Sequence, residues 1–192
     1  HGDNDHIGGL DSVLEVFNTK EILTSEPDKI LQKTTLCKSG QNWKWDGVLF
    51  EILNPDHHWQ GNNASCVLKV STKDRSVLLS ADIEKKAEKH LVKTLKAKLN
   101  ADVLISPHHG SKTSSSHAFL NAVSAKTVII SSGFKNRFNH PASVVLDRYK
   151  QHQIDVFNTN CSGQISVYLN EDVAINEYRK DYARYYHRQC AD

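Results

Sequence analysis

Apolar and polar positions along this chain change period several times, and each change marks an element. Leu10, Val13, Leu14 and Phe17 fall at helical spacing, which predicts a short helix over residues 10–18. Residues 19–45 are mixed and polar and end on Trp43 and Trp45, and DGVLFEIL then reads as a strand. NPDHHWQGNN, residues 54–63, is a loop by its breaker residues. ASCVLKVS, the turn TKDR and SVLLSAD form a hairpin. Residues 84–99 are an amphipathic, Lys-rich helix with Ala87, Leu91, Leu95 and Leu99 on one face. ADVLISP is a buried strand running into HHGSKTSSS, followed by the helix HAFLNAVSA, the strand KTVIISSG and the loop FKNRFNHP. Pro141 starts a helix over residues 142–152. IDVFNTN and GQISVYL are strands joined at NCSG, and residues 172–189 read as a final helix bearing Tyr and Arg.

Strands and helices alternate, so the fold class is α/β. In such folds polar clusters that follow strands are where sites form. At 192 residues the chain is one domain, residues 1–192, with residues 172–192 as a helical appendage. The hydrophobic fraction of 39% and charged fraction of 24% suit a packed core rather than disorder. A net charge of +2 does not by itself announce nucleic-acid binding, so any such contact depends on local placement of Lys and Arg. No apolar run is long enough to span a membrane, and the start has no signal-peptide pattern. The chain has no Met, which reads as a piece of a longer protein. Its four cysteines, Cys37, Cys66, Cys161 and Cys190, lack zinc-knuckle spacing. Cys66, in the apolar run SCVLKV, reads as a small buried hydrophobe, with a disulfide undecided.

Four clusters carry candidate chemistry. In HGDNDH, His1 and Asp3 can point one way while Asp5 and His6 reach a second position; imidazole with carboxylate suits divalent metals. A solvated loop is the equal alternative. Asp82 ends VLLSAD and is either the N-cap of the following helix or a ligand. His108 and His109 close an apolar strand, and the Gly110, Ser111 and Lys112 beside them suit an oxyanion. Asn136, Arg137 and His140 lie in a loop that can equally be a plain helix start.

The order HxDxDHIGGL, ADIE, SPHHGS and NRFNHP resembles the metallo-β-lactamase-like domain of ComEC, the DNA-uptake channel of naturally competent bacteria. The resemblance covers nearly the whole chain. It implies an αββα sandwich, here lacking its N-terminal strands, with two divalent metal ions (Mn or Zn) at the strand ends. His1 and Asp3 would hold one ion, Asp5 and His6 the other, Asp82 would bridge, and His109, with His108 as the alternative, would complete the second. Asp3 stands where the wider superfamily has histidine, and this oxygen-rich set shifts the expectation toward manganese. His57 and His58 stay loop residues, because NNAS rather than a ligand histidine precedes the next strand.

The resemblance further implies a metal-dependent nuclease that degrades the DNA strand not imported. Asp5, His108 and His140 are its catalytic candidates, and Ser111, Lys112, Asn136 and Arg137 would contact substrate. Lys85, Lys86, Lys89, Lys93, Lys96 and Lys98 either solvate their helix or supply part of a DNA track. The parent would be an inner-membrane channel with this domain on its periplasmic side. The alternatives are a hydrolase of the same fold acting on a small phosphodiester, ester or lactam, and a non-catalytic DNA-binding relic. With nothing ahead of it, His1 is expected to be out of place and the chain weak or inactive.

Overall fold

A computed structural model describes residues 1–56 and 59–186, so His57 and His58 lie outside the described residues. The elements in chain order are α1 (Asn4–Ile7), α2 (Leu10–Val16), β1 (Leu23–Thr24), β2 (Thr35–Leu36), β3 (Asn42–Trp45), β4 (Val48–Asn54), β5 (Val67–Ser71) and β6 (Ser76–Leu79). Then follow α3 (Lys85–Leu95), β7 (Val103–Ile105), α4 (His117–Val123), β8 (Thr127–Ile130), α5 (Ser143–Gln151), β9 (Asp155–Asn158), α6 (Thr159–Ser162), β10 (Ile165–Leu169), β11 (Val173–Glu177) and α7 (Tyr178–Asp181).

β3 to β9 form one seven-stranded sheet in sequential order. Its first half is antiparallel: short turns join β3 to β4 and β5 to β6, and the longer segment 55–66 joins β4 to β5. Asp46 and Gly47 both take positive φ in the β3–β4 turn, the geometry a two-residue hairpin demands. In the β5–β6 turn the Thr72 hydroxyl accepts from the Asp74 and Arg75 amides. The second half is parallel because α3, α4 and α5 intervene between consecutive strands.

The core lies between these helices and the sheet. Ala87 and Leu91 of α3, Phe119, Leu120 and Val123 of α4, and Val145 and Tyr149 of α5 pack with Leu53, Val67, Leu78, Leu104, Val128 and Ile130. The α/β class expected from the pattern is the class observed. Among the described residues the other sheets are only two-stranded, β1–β2 and β10–β11.

Three expectations need correction. Residues 172–189 are not one helix: Val173–Glu177 is a strand paired with β10 over five residues, and a single helical turn follows. The alternating burial of Val173, Ile175 and Glu177 is a period of two, which the charged residues around it obscured. The segment 187–192 lies outside the described residues. Cys66 is not a free hydrophobe: it forms a disulfide with Cys37 that ties the β1–β2 segment to the start of β5. The segment NDHI is a helical turn rather than a loop, because the Asp3 carbonyl accepts from the amides of His6 (2.9 Å) and Ile7 (3.0 Å).

Candidate metal centre

Three sequence-distant loops converge beyond the strands. The first is the N-terminal segment. Gly2 is buried beneath Lys29, where a Cβ would collide with that side chain, and its amide donates to the Glu26 carboxylate at 2.5 Å. This anchors the chain so that Asp5 and His6, on the helical turn that follows, face the sheet ends.

The second loop follows β6. Ala81 adopts positive φ, and Asp82 is buried with its carboxylate toward four imidazoles. His6 Nε2 lies 3.2 Å from Oδ1. His1 Nε2, His109 Nε2 and His108 Nε2 lie 3.6, 3.5 and 3.8 Å from Oδ2. Asp82 does not cap the helix. Asn63 does so from a neighbouring turn: its Oδ1 accepts from the amides of Glu84 (3.2 Å) and Ala87 (3.1 Å), leaving the Asp82 carboxylate for the cluster.

The third loop follows β7. His108, His109 and Gly110 all take positive φ, and the His108 amide donates to the Ala81 carbonyl at 2.9 Å, locking this loop to the second. A Cβ at Gly110 would stand 2.7 Å from Pro141 Cβ, so the tight approach of the NHP loop requires glycine. Left-handed histidines cost about 1 kcal/mol each, a strain that the surrounding hydrogen bonds must hold.

The hydrogen-bond network decides which ring nitrogen each histidine offers. Ser65 Oγ donates to the Asn62 carbonyl (2.7 Å), so it accepts from the Asp82 amide (3.3 Å) and from His1 Nδ1 (3.1 Å). His109 Nδ1 donates to the Ser131 carbonyl at 2.8 Å. In their neutral state, the one that binds a cation, both rings therefore carry hydrogen on Nδ1 and turn an Nε2 lone pair inward. Both Nε2 atoms are buried and make no hydrogen bond. Paired with three carboxylates, such lone pairs are the donor set of a divalent cation, and Ser65 and Ser131 are the outer partners that fix ligand orientation.

Ligand atoms of Asp5, His6, Asp82 and His109 all lie within 4.8 Å of one another. His1 and Asp3 stand alongside: His1 Nε2 is 3.7 Å from Asp3 Oδ2 and the His1 and His6 ring centroids are 4.1 Å apart. The expectation that His1 is out of place fails, since its side chain is only 1% exposed and held by Ser65. Lys29 Nζ, 3.6 Å from Asp3 Oδ1, puts a competing cation on this side of the cluster.

Burial opposes the charge on Asp82, but its contacts with His109 and His6 outweigh burial and hold the carboxyl well below the usual range. The same contact with Asp82, against burial, pushes His109 up to about 9. The cluster thus favours positive charge at its centre. Burial first, then His108 and His109, lower the pKa of His140, against an opposing contribution from Asp82.

A cavity of about 740 Å³ opens onto the cluster, lined also by Lys29, Arg137, Phe138 and His140. Arg137 and His140 both line this cavity. Asn136 is instead structural here: its amide donates to the carbonyls of Gly133 (2.9 Å) and His140 (2.6 Å) and accepts from the His140 amide (2.9 Å). Ser111 is buried with its hydroxyl paired to Thr113 Oγ1 at 3.0 Å, and neither it nor the exposed Lys112 lines the cavity. Ser65 and Asn63 went unassigned in the sequence, although the NNAS run between two strands was the available signal.

The family model for the metallo-beta-lactamase superfamily matches residues 1–133. The chain is 38% identical over 167 residues to competence protein ComA of Neisseria gonorrhoeae, covering 86% of this chain and 24% of that protein. It is 36% identical over 192 residues to recombination protein 2 of Haemophilus influenzae, covering 98% and 24%, and 33% identical over 181 residues to ComE operon protein 3 of Bacillus subtilis, covering 86% and 23%. It spans about a quarter of the length of these curated relatives. Among solved structures it is similar to the metallo-beta-lactamase fold protein YhfI of Bacillus subtilis, with a TM-score of 0.52 at 15% identity, covering 82% of this chain and 71% of that one.

Proposed function

The chain belongs to the metallo-beta-lactamase superfamily, and on that premise we propose that it is a metal-dependent phosphodiesterase acting on DNA within a larger DNA-uptake protein. One observation carries this reading: two buried histidine Nε2 lone pairs with no hydrogen-bond partner converge with three carboxylates at the floor of a cavity whose rim bears Arg137 and Lys29. The names of the competence-protein relatives support DNA as the substrate.

Asp5, His6, Asp82 and His109 would hold one ion, and His1, Asp3 and Asp82 a second. Divalent ions there would supply Lewis acidity toward a phosphate oxygen and lower the pKa of water. Manganese fits the carboxylate-rich set, and zinc its histidines.

The chain's own residues supply the rest. Arg137 and Lys29 at the rim offer positive charge to the phosphate backbone. Ser65 and Ser131 hold His1 and His109 in the tautomer that points Nε2 inward. His140, with a buried Nδ1 that makes no hydrogen bond, stands with its ring centroid 5.8 Å from that of His108. This pair is the proton carrier for the departing oxygen, and Glu84 Oε1, 3.5 Å from His108 Nδ1, orients it. Asp5, 3.3 Å from His109 Nε2, is the most exposed carboxylate of the cluster and adds a ligand that can also orient an attacking water.

The Cys37–Cys66 disulfide, with Cys161 also disulfide-bonded, supports an oxidising, extracytoplasmic location. No helix among the described residues is long and apolar enough to cross a membrane.

The reading is tested by following cleavage of a single-stranded oligonucleotide in Mn²⁺. Wild type is expected to cleave and Asp82→Ala to fall by a factor of at least about 100. Equal rates in the two proteins would overturn the mechanism.

A further inference from the structure

We infer that Phe138 is a base-stacking residue that makes this site select unpaired nucleic acid, an inference that rests on the phosphodiesterase reading and names the feature of substrate that the site grips besides phosphate. The 134–138 loop exposes two phenylalanines, Phe134 at 51% and Phe138 at 61%, and Phe138 lines the cavity over the cluster. Their exposure is built in. Asn136 closes the loop through both its amide and its carbonyl oxygen, and the Asn139 amide donates to the Asn136 carbonyl at 3.0 Å. A loop held this way presents its rings in fixed positions.

Phe138 occupies a particular place. It lines the cavity over the His/Asp cluster and also a second cavity of about 410 Å³, bordered by Ser132, Asn136 and Thr159. The ring therefore stands between the cavity over the cluster and an adjoining recess that also reaches Asp5, His109 and His140. Its plane lies 23° from that of His140, with centroids 5.7 Å apart. The Arg137 guanidinium sits 4.6 Å from the Phe138 centroid.

These positions match a nucleotide's own layout. A base placed on the Phe138 ring exchanges the cation–π contact for a base–aromatic one, and Arg137 is released toward the adjacent phosphate. Every base has a π face, so such a stack is tolerant of sequence. In a duplex those faces are already stacked on neighbouring pairs, so only an unpaired base can reach Phe138. An aromatic and basic loop also suits an anionic membrane surface. The cavity-lining position of Phe138 and its packing on His140 favour nucleic acid.

The test separates stacking from chemistry. Binding of a fluorescent oligothymidylate and of an abasic oligomer of equal length is measured in EDTA for wild type, Phe138→Ala and Phe138→Trp. Wild type is expected to bind the thymidylate about tenfold more tightly; the ratio falls to near one in Phe138→Ala and is kept in Phe138→Trp. An unchanged ratio in Phe138→Ala, no preference in wild type, or a loss confined to binding of phosphatidylglycerol vesicles would each overturn the inference. Cleavage in Mn²⁺ is read alongside. Preference lost in the variant while wild type cleaves nothing supports the stack and overturns the phosphodiesterase reading. Cleavage with an unchanged ratio overturns the stack alone.

Discussion

Ser65 shows how much a single hydroxyl decides. It donates one hydrogen to the Asn62 carbonyl and accepts from His1 Nδ1 and the Asp82 amide, so one small side chain sets a tautomer, a ring orientation and a carboxylate position. Ser65→Ala should leave the fold intact and weaken the His1 side of the cluster by about 10- to 100-fold in metal affinity, the usual effect of losing an outer hydrogen bond to a ligand. Isothermal titration with Mn²⁺ reads this directly, and affinities equal to wild type would show that Ser65 does not orient His1. The residue types of the cluster and their order were legible in the sequence, because HxDxDH is dense in histidine and aspartate and Asp82 and HHG follow strands. The choice between His108 and His109 was not a matter of spacing. It depends on the Ser131 carbonyl, which accepts the His109 Nδ1 hydrogen and leaves that Nε2 facing Asp82 and Asp5.

Among the elements, α3 was the plainest in the pattern, and its Ala87 and Leu91 are buried as its apolar face requires. Two of its features were hidden. Its cap comes from Asn63, more than twenty residues upstream, whereas a local reading looks to the adjacent Asp82. Had Asp82 capped the helix, its carboxylate would have been spent on backbone amides. Asn63→Ala is expected to cost about 1–2 kcal/mol, the range for a lost N-cap, read as a lower denaturation midpoint at unchanged slope. An unchanged midpoint would mean that water replaces the cap. The second feature is Glu88, a charged residue whose spacing of three from Leu91 and seven from Leu95 puts it on the apolar face. It is fully buried and accepts from the Ser115 (2.5 Å) and Ser116 (2.9 Å) amides, and Arg148 Nη1 donates to the Ser114 carbonyl at 2.8 Å. Burial raises its carboxyl pKa against those bonds. This network lies directly behind HHGS, so the loop that carries His109 rests on a polar floor that no periodicity encodes. The misread final helix failed for the opposite reason, since β11 buries alternate residues against only one partner strand and its signal is weak.

For the molecule as a whole, the β5–β6 hairpin and the alternation of strands and helices in the second half were legible in the pattern, whereas β3, inside a mixed polar stretch, was not. Nor was the disulfide, because cysteine spacing carries no pairing information. With a sequence separation of 29, Cys37–Cys66 contributes roughly 3–4 kcal/mol in the loop-entropy account and fastens the 19–40 region beside Ser65. That placement joins the least regular part of the chain to the cluster, where Glu26 and Lys29 hold Gly2 and Asp3. The central claim is that six residues from three loops form one divalent metal centre hinged on Asp82. Metal content after dialysis against Mn²⁺ or Zn²⁺, measured by plasma mass spectrometry on wild type and on Asp82→Asn shown folded by circular dichroism, tests it most directly. Wild type should retain up to two equivalents, as two clusters sharing Asp82 allow, and Asp82→Asn should retain almost none. Equal metal in both proteins, or none in wild type, would contradict the account.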